Sequence, residues 1–135
     1  MKQLVNIHYI AREMEASGHL ISNLAPEGAG LENFYQLSIP EREWPQLAEE
    51  ILENSSSGTV LRFFGVPICL LGKAYTHSND LYFDARLTVE RIRIPSTGLG
   101  WCAVRSYSPV RERTYTSKCE SCPYRNICGG FVNKP

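Results

Sequence analysis

The sequence predicts an α/β fold in which strands and one helix are followed by a small antiparallel region and a cysteine-rich loop. Two observations support this: a helically spaced apolar stripe lies between apolar strand-like runs, and the second half turns polar, alternating and basic. The length of 135 residues fits one domain. We expect an α/β segment over 1–72 and a cysteine-bearing segment over 73–135, together forming one unit.

Three strands are predicted in the first segment. The first has Val5, Ile7 and Tyr9 on one alternating face, and the last is apolar enough to be buried on both faces, as in a parallel sheet. A glycine loop, PEGAG, follows the second strand, but it lacks the lysine of a phosphate loop and is predicted to be a turn. The three runs are 4–11 (LVNIHYIA), 19–26 (HLISNLAP) and 59–72 (TVLRFFGVPICLLG).

One helix is predicted over residues 44–53. Its apolar residues recur at i, i+3, i+4, i+7 and i+8, which gives one face for burial. The preceding residues 38–41 match a capping box, but an interior proline at 45 costs about 3 kcal/mol, so we expect a turn over 38–43 before the helix begins. The apolar residues are Trp44, Leu47, Ala48, Ile51 and Leu52.

The second segment begins as an antiparallel hairpin. Residues 81–95 alternate in polarity, and 101–110 are predicted to pair back on them across a turn at 96–100. A polar turn over 75–80 precedes this hairpin, and the cysteine-rich loop follows it. The order of elements is therefore strand, strand, helix, strand and then hairpin.

Charge is unevenly distributed, although the formal net charge of the chain is zero. Residues 1–60 carry three basic and nine acidic side chains, and 61–135 carry eleven basic and five acidic ones, so the halves are −6 and +6. The basic half suggests a nucleic-acid-binding hypothesis, with Tyr107, Tyr115 and Tyr124 as the residues that would stack on bases. Its arginines are scattered through strand-like sequence, however, which favours solvated strand faces and makes nucleic acid the weaker hypothesis.

The sequence favours a location in the cytoplasm. No apolar run approaches the roughly 20 residues that a membrane helix needs, so no membrane partner is expected. The N-terminal residues show no small-residue cleavage site of a secretory signal. In a reducing compartment, clustered cysteines bind metal more often than they form disulfides.

Three of the five cysteines lie within ten positions. Cys119 and Cys122 have CxxC spacing, and Cys128 follows after five further residues, so one loop supplies three ligands. Tetrahedral zinc and a four-iron cluster both require four. Cys69 is favoured as the fourth because Pro67 fixes the chain direction there, whereas Cys102 lies beside a tryptophan in a predicted strand and fits a small buried apolar residue.

The ligand count leaves zinc and iron–sulfur open. Structural zinc sites usually pair two short ligand knuckles, whereas here the distant ligand is a single cysteine about fifty residues upstream, which favours a cluster. The histidines at 8, 19 and 77 lie in strand or turn contexts that favour ordinary polar roles.

Two stretches, FFGVPICLLGK (63–73) and KCESCPYRNICGG (118–130), resemble the C-terminal part of radical S-adenosylmethionine (SAM) enzymes with a SPASM or twitch-type auxiliary cluster domain. The resemblance implies a remnant of a partial (β/α) barrel. It also implies that Cys69, Cys119, Cys122 and Cys128 bind an auxiliary [4Fe-4S] cluster. The flanking VNIHYIA, LAPEGAG and LSIPEREWPQLAEEI are similar to late barrel elements but less specific.

The chain departs from that family in what it lacks. It has no C-x3-C-x2-C motif for the catalytic cluster, and position 132, where a full SPASM domain has a further cysteine, is Val132. We therefore expect an auxiliary-cluster protein that acts as a split subunit or accessory, in electron transfer or in positioning a peptide or small-molecule substrate. Its partner would be a radical SAM subunit with the catalytic cluster, or a second copy of this chain.

The alternative hypothesis is a zinc-stabilised interaction module without redox activity, in which the metal contributes only folding energy. No catalytic triad, suggestive carboxylate pair or phosphate loop stands out in the sequence. Any catalysis is therefore expected to come from a partner, and enzyme status is left open.

Overall fold

The computed structural model describes residues 2–55, 58–82, 87–94, 98–105 and 113–135, and within 87–94 and 99–105 it describes the backbone alone. These residues form a mixed α/β structure of helices and three two-stranded sheets. The predicted α/β class is confirmed in this coarse sense, as a mixture of helices and small sheets. None of the sheets in the described part of the chain closes into a barrel.

The N-terminal segment is a helix, α1 (Lys2–Glu13), so the strand predicted over 4–11 is wrong. The strand prediction grouped Val5, Ile7 and Tyr9 on one face, but Ile7 and Tyr9 are about half exposed. The shielded positions instead recur at helical spacing, and two of them, Leu4 and Val5, pack against the core. The shielded positions are Leu4, Val5, His8, Ala11 and Arg12.

A parallel pair of strands lies beside the principal helix. Strand β1 (Gly18–Ser22) pairs with β2 (Val60–Phe64), with Ile21 opposite Phe63. Between them along the chain lie the one-turn helices α2 (Ala29–Glu32) and α3 (Phe34–Leu37) and then α4 (Trp44–Glu53). The predictions of a strand near 19–26 and a helix over 44–53 are confirmed, the former with a shorter strand.

The apolar stripe of α4 packs on one face of this sheet. Odd-numbered residues of β1 and β2 point toward the helix, because side chains alternate along a strand. Ile21, Leu61 and Phe63 are fully or almost fully buried and His19 is half-buried, whereas Leu20 and Val60 on the other face are more than half exposed. The core cluster comprises Ile21, Trp44, Leu47, Ala48, Ile51, Leu61, Phe63, Val66, Leu71 and Ala74.

The strand predicted over 59–72 is shorter than expected. β2 ends at Phe64, and Gly65 follows with φ +73°, which turns the chain. Short 3-10 helices then run over Ile68–Leu70, Gly72–His77 and Asn79–Leu81. The apolar character of 66–74 therefore reflects core packing by turns and not an extended strand.

The antiparallel hairpin is confirmed in the backbone. Strand β3 (Leu87–Ile94) pairs with β4 (Gly98–Arg105), in register from Leu87 opposite Arg105 to Ile94 opposite Gly98. The predicted turn at 75–80 is helical and of 3-10 type. Residues 98–100 of the predicted turn belong instead to β4, whereas residues 96–97 and the end of the strand predicted over 101–110 lie outside the described residues.

A last strand pair brackets the cysteine-rich loop. Strand β5 (Arg113–Thr114) pairs antiparallel with β6 (Phe131–Val132), so the intervening residues form a closed loop. The C-terminal residues contact the first segment, because Lys134 Nζ lies 2.8 Å from Glu41 Oε1 and Tyr35 donates to the Pro135 carbonyl. Among the described residues no helix is both long and apolar enough to cross a membrane.

Candidate cysteine centre

Cys69 lies in a short segment that the core holds on both sides. Val66 and Ile68 before it are buried, as is Leu71 after it, whereas Cys69 itself remains exposed. The side-chain amide of Asn23 also donates to the Gly65 carbonyl at 3.3 Å, which links the turn after β2 to the residue after β1. Packing of its neighbours thus directs Cys69 outward from the end of the parallel sheet.

The other three cysteines lie in tight turns of the loop between β5 and β6. Cys119 ends a 3-10 helix at Ser117–Cys119, and its carbonyl accepts from the Cys122 amide at 3.2 Å. The Cys128 amide donates to the Tyr124 carbonyl at 2.8 Å. These turns hold the three half-buried cysteines within one compact loop.

The structure brings all four predicted ligand residues to one depression. Its wall also includes Pro67 and Ile68 from the segment after β2 and Tyr115 and Tyr124 from the loop region. The depression contains about 290 Å³ of empty space, open solvent at its mouth included. Cys102 is placed in β4 opposite Glu90, and the structure describes only its backbone.

The four thiols are close enough to influence one another electrostatically. Partial burial is the first cause that raises the pKa of the Cys69 thiol, and repulsion from Cys128, Cys119 and Cys122 raises that pKa further. The charged form of Cys69 is therefore disfavoured beside the other three cysteines.

The sulfurs of Cys128 and Cys119 have polar neighbours. The Gly130 amide donates to Cys128 Sγ at 3.4 Å, and Thr116 Oγ1 lies 3.6 Å from Cys119 Sγ. Hydrogen bonds to ligand sulfurs stabilise thiolates and help to set the potential of a bound cluster.

Asp80 anchors the cysteine loop, a role that sequence reasoning missed. This buried aspartate accepts from the Gly129 amide, the residue after Cys128, with its Oδ2 at 2.7 Å. It lies in the short 3-10 helix Asn79–Leu81. Nothing in the polar run YTHSND (75–80) indicated that its last residue, Asp80, would contact Gly129, 49 positions further along the chain.

We expect Asp80→Ala to lower the free energy of unfolding by about 1–3 kcal/mol, because it leaves the Gly129 amide without this charged acceptor. Denaturant unfolding measures the loss. Asp80→Asn keeps an acceptor oxygen and should lose less. The matched control Glu120→Ala removes an exposed acid from the same loop and should change stability by less than about 0.5 kcal/mol. Equal effects of Asp80→Ala and Glu120→Ala would contradict the anchoring role.

Two tyrosines of the weaker nucleic-acid hypothesis line the depression. The Tyr115 hydroxyl donates to the Cys128 carbonyl at 2.9 Å, and the Arg125 guanidinium lies 3.4 Å from the centroid of its ring. The Tyr124 ring lies 6.0 Å from that of Tyr75. Both tyrosines therefore contribute contacts within the site, whereas Tyr107 lies outside the described residues.

Across the parts of the chain that the structure describes, no group of three or more His, Cys, Asp or Glu side chains is arranged to hold a metal ion as it stands. Comparison of the chain with protein-family models, curated proteins and solved structures finds no significant match. The site must therefore be interpreted from its own residues.

Proposed function

We propose that this chain binds a [4Fe-4S] cluster through Cys69, Cys119, Cys122 and Cys128. The observation that carries the proposal is that four cysteines from two segments, separated by fifty residues of chain, line one depression. Four cysteine thiolates are the ligand set of such clusters. Glycine at 130 lets the backbone pass close to the site, and its amide donates to a ligand sulfur.

The architecture that we propose is a remnant of a partial (β/α) barrel, similar to the auxiliary-cluster half of a radical SAM enzyme. A parallel strand pair with a helix on one face supports it. Cys69 follows the end of β2, where α/β sheets place their ligand sites. The motif for a catalytic cluster is missing from the sequence, so this chain would depend on another for radical chemistry.

The role that we propose is electron transfer or substrate positioning as a split subunit or accessory in a reducing cytoplasm. The partner would carry the catalytic cluster, and the substrate would be a peptide or small molecule. The sheet supports the need for a partner, because within the described ranges β1 pairs only with β2, and Leu20 on the face opposite α4 is 57% exposed. A second copy of the chain is the other arrangement that would cover this surface.

Anaerobic purification followed by iron, sulfide and zinc analysis tests the cluster. We expect about four irons and four sulfides per chain, with an absorbance shoulder at about 400 nm. Cys69→Ser should lose most of the iron, because the distant ligand is removed, whereas Cys102→Ser should retain it. Serine is nearly isosteric with cysteine, so circular dichroism can show that both variants remain folded.

One zinc per chain without iron or sulfide would instead identify a structural metal site and remove the redox role. Loss of iron in Cys102→Ser but not in Cys69→Ser would overturn the ligand assignment. Retention of iron in both variants would show that neither cysteine is a necessary ligand.

A further inference from the structure

A chain of hydrogen bonds outside the cysteine centre joins α1 to β1 and to the end of α4. His8 of α1 is 1% exposed, and its two ring nitrogens face different partners. Nδ1 lies 2.7 Å from Nδ1 of His19 in β1, and Nε2 lies 3.1 Å from the hydroxyl of Ser55, just beyond α4. Three elements of the first segment therefore meet at one imidazole.

The two imidazole rings lie side by side in nearly one plane. Their planes differ by 7° and their centroids are 5.0 Å apart. The distance between centroids exceeds the Nδ1–Nδ1 distance by about the width of one ring, that is, by half a ring width for each histidine. This is the largest difference possible, and it occurs only when both centroids and both nitrogens lie on nearly one line. Such an alignment directs an N–H of one ring at the lone pair of the other, so the contact is a well-aligned hydrogen bond and not face-to-face stacking.

The hydroxyl of Ser55 fixes which nitrogens carry protons. Its Oγ donates to the Ile51 carbonyl at 2.8 Å, so it can only accept from His8. His8 is therefore protonated at Nε2 and presents the lone pair of Nδ1 to an N–H at Nδ1 of His19. The one ring nitrogen of the pair whose lone pair is not used in this network is Nε2 of His19, and that residue is half-buried.

We propose that this histidine pair is a proton-sensitive latch, which holds α1 at neutral pH and releases it in acid. One added proton at Nε2 of His19 leaves the bridging hydrogen bond intact. A second added proton can only enter at Nδ1 of His8, and it replaces the bridging bond with two opposed N–H groups. Two imidazolium charges would then face each other at a separation of 2.7 Å, which the docked helix cannot accommodate.

The surroundings of the pair offer little to neutralise added charge. Arg12 on the same helix is cationic and donates to the Asn54 carbonyl at 3.1 Å, and its partner Glu13 is exposed. Burial, then His19, then Arg12 lower the pKa of His8, whereas the backbone of Asn54 acts in the opposite direction. Burial also lowers the pKa of His19. The residues described around the pair contribute no other charged group to these shifts.

The sign of the pH effect follows from these shifts. Both histidines take up protons less readily in the folded chain than in the unfolded chain, so the neutral pair stabilises the fold at and above about pH 6.5. That contribution is lost as the pH falls below this value. Because Leu4 and Val5 of α1 pack on the core, release would uncover apolar surface of the first segment.

Nuclear magnetic resonance of the full chain, with labelled histidines and backbone amides, tests the latch between about pH 7.5 and about pH 5. We expect the helical population of residues 2–13 to fall below about half over the range in which His8 takes up a proton, while amides of α4 and β2 keep their folded positions. His19→Asn should keep α1 docked to a lower pH than the wild type, because its carboxamide can donate to neutral His8 and, after flipping, accept from protonated His8, although burial still opposes protonation of His8.

The matched control is His77→Asn, which removes a third histidine, whose ring contacts the Leu61 carbonyl at 3.2 Å. It should release α1 over the same range as the wild type. The latch is refuted if wild-type α1 remains helical down to about pH 5, or if His19→Asn releases it over the wild-type range. Neither result depends on whether the cysteines bind iron or zinc.

Discussion

Gly130→Ala is expected to lower the free energy of unfolding by about 2–4 kcal/mol and to weaken the metal binding that we propose for the cysteine centre. Gly130 has φ +78°, a conformation that a side chain disfavours by about 1–2 kcal/mol. An added Cβ would also lie 2.7 Å from the Thr114 carbonyl oxygen and 3.2 Å from the Tyr115 ring. The carbonyl belongs to the β5 backbone and has little freedom to move away.

Gly28→Ala separates the two contributions. Gly28 has φ +52°, but an added Cβ would meet no atom within 4 Å, so this variant carries the backbone cost alone. Denaturant unfolding and metal analysis of both variants should show a larger destabilisation in Gly130→Ala and metal loss only there. Equal destabilisation with full metal retention would show that the loop accommodates the side chain and that close packing at Gly130 does not shape the site.

The elements that the sequence predicted correctly are those whose burial pattern is unambiguous. In α4 the apolar spacing fits a helix and no strand, and Pro45 lies in the first turn, where no intrahelical amide is needed. The apolar run of β2 was found, but its end was not, because the core also buries the turns from Val66 to Ala74. A continuous apolar run does not distinguish a strand from buried turns.

The N-terminal helix was missed because its buried face is not wholly apolar. His8 and Arg12 occupy two of the five shielded positions, so hydrophobicity alone favoured the alternating Val5, Ile7 and Tyr9. The shielding of His8 depends on His19 and Ser55, which are brought near only by the folded chain. The same limit applies to Asp80, whose contact with Gly129 is tertiary. Cysteine spacing, in contrast, is local, and it predicted three of the four cysteines that line the depression, whereas Cys69 was predicted from the chain direction at Pro67 and from the family resemblance.

The other large effect is expected from Trp44→Ala, which should lower the free energy of unfolding by about 3–5 kcal/mol. Trp44 is 1% exposed and belongs to the core cluster. It also lines a groove with Phe34, Pro67 and Phe131, so its indole lies near the segment that leads to Cys69. Because domains of this size have total stabilities of about 5–15 kcal/mol, this loss would remove a large share of the total stability.

The matched control for Trp44→Ala is Leu37→Ala, an apolar side chain that is 64% exposed and should change stability by less than about 0.5 kcal/mol. Denaturant unfolding followed by circular dichroism measures both. The rate of metal release tests in addition whether the core positions Cys69, because Pro67 lines both this groove and the cysteine depression. If the core positions Cys69, the metal that we propose for the cysteine centre should be released faster from Trp44→Ala than from Leu37→Ala even where both are folded. Equal release rates would show that the cysteine centre is held independently of the core, by its own loop and the Asp80 contact.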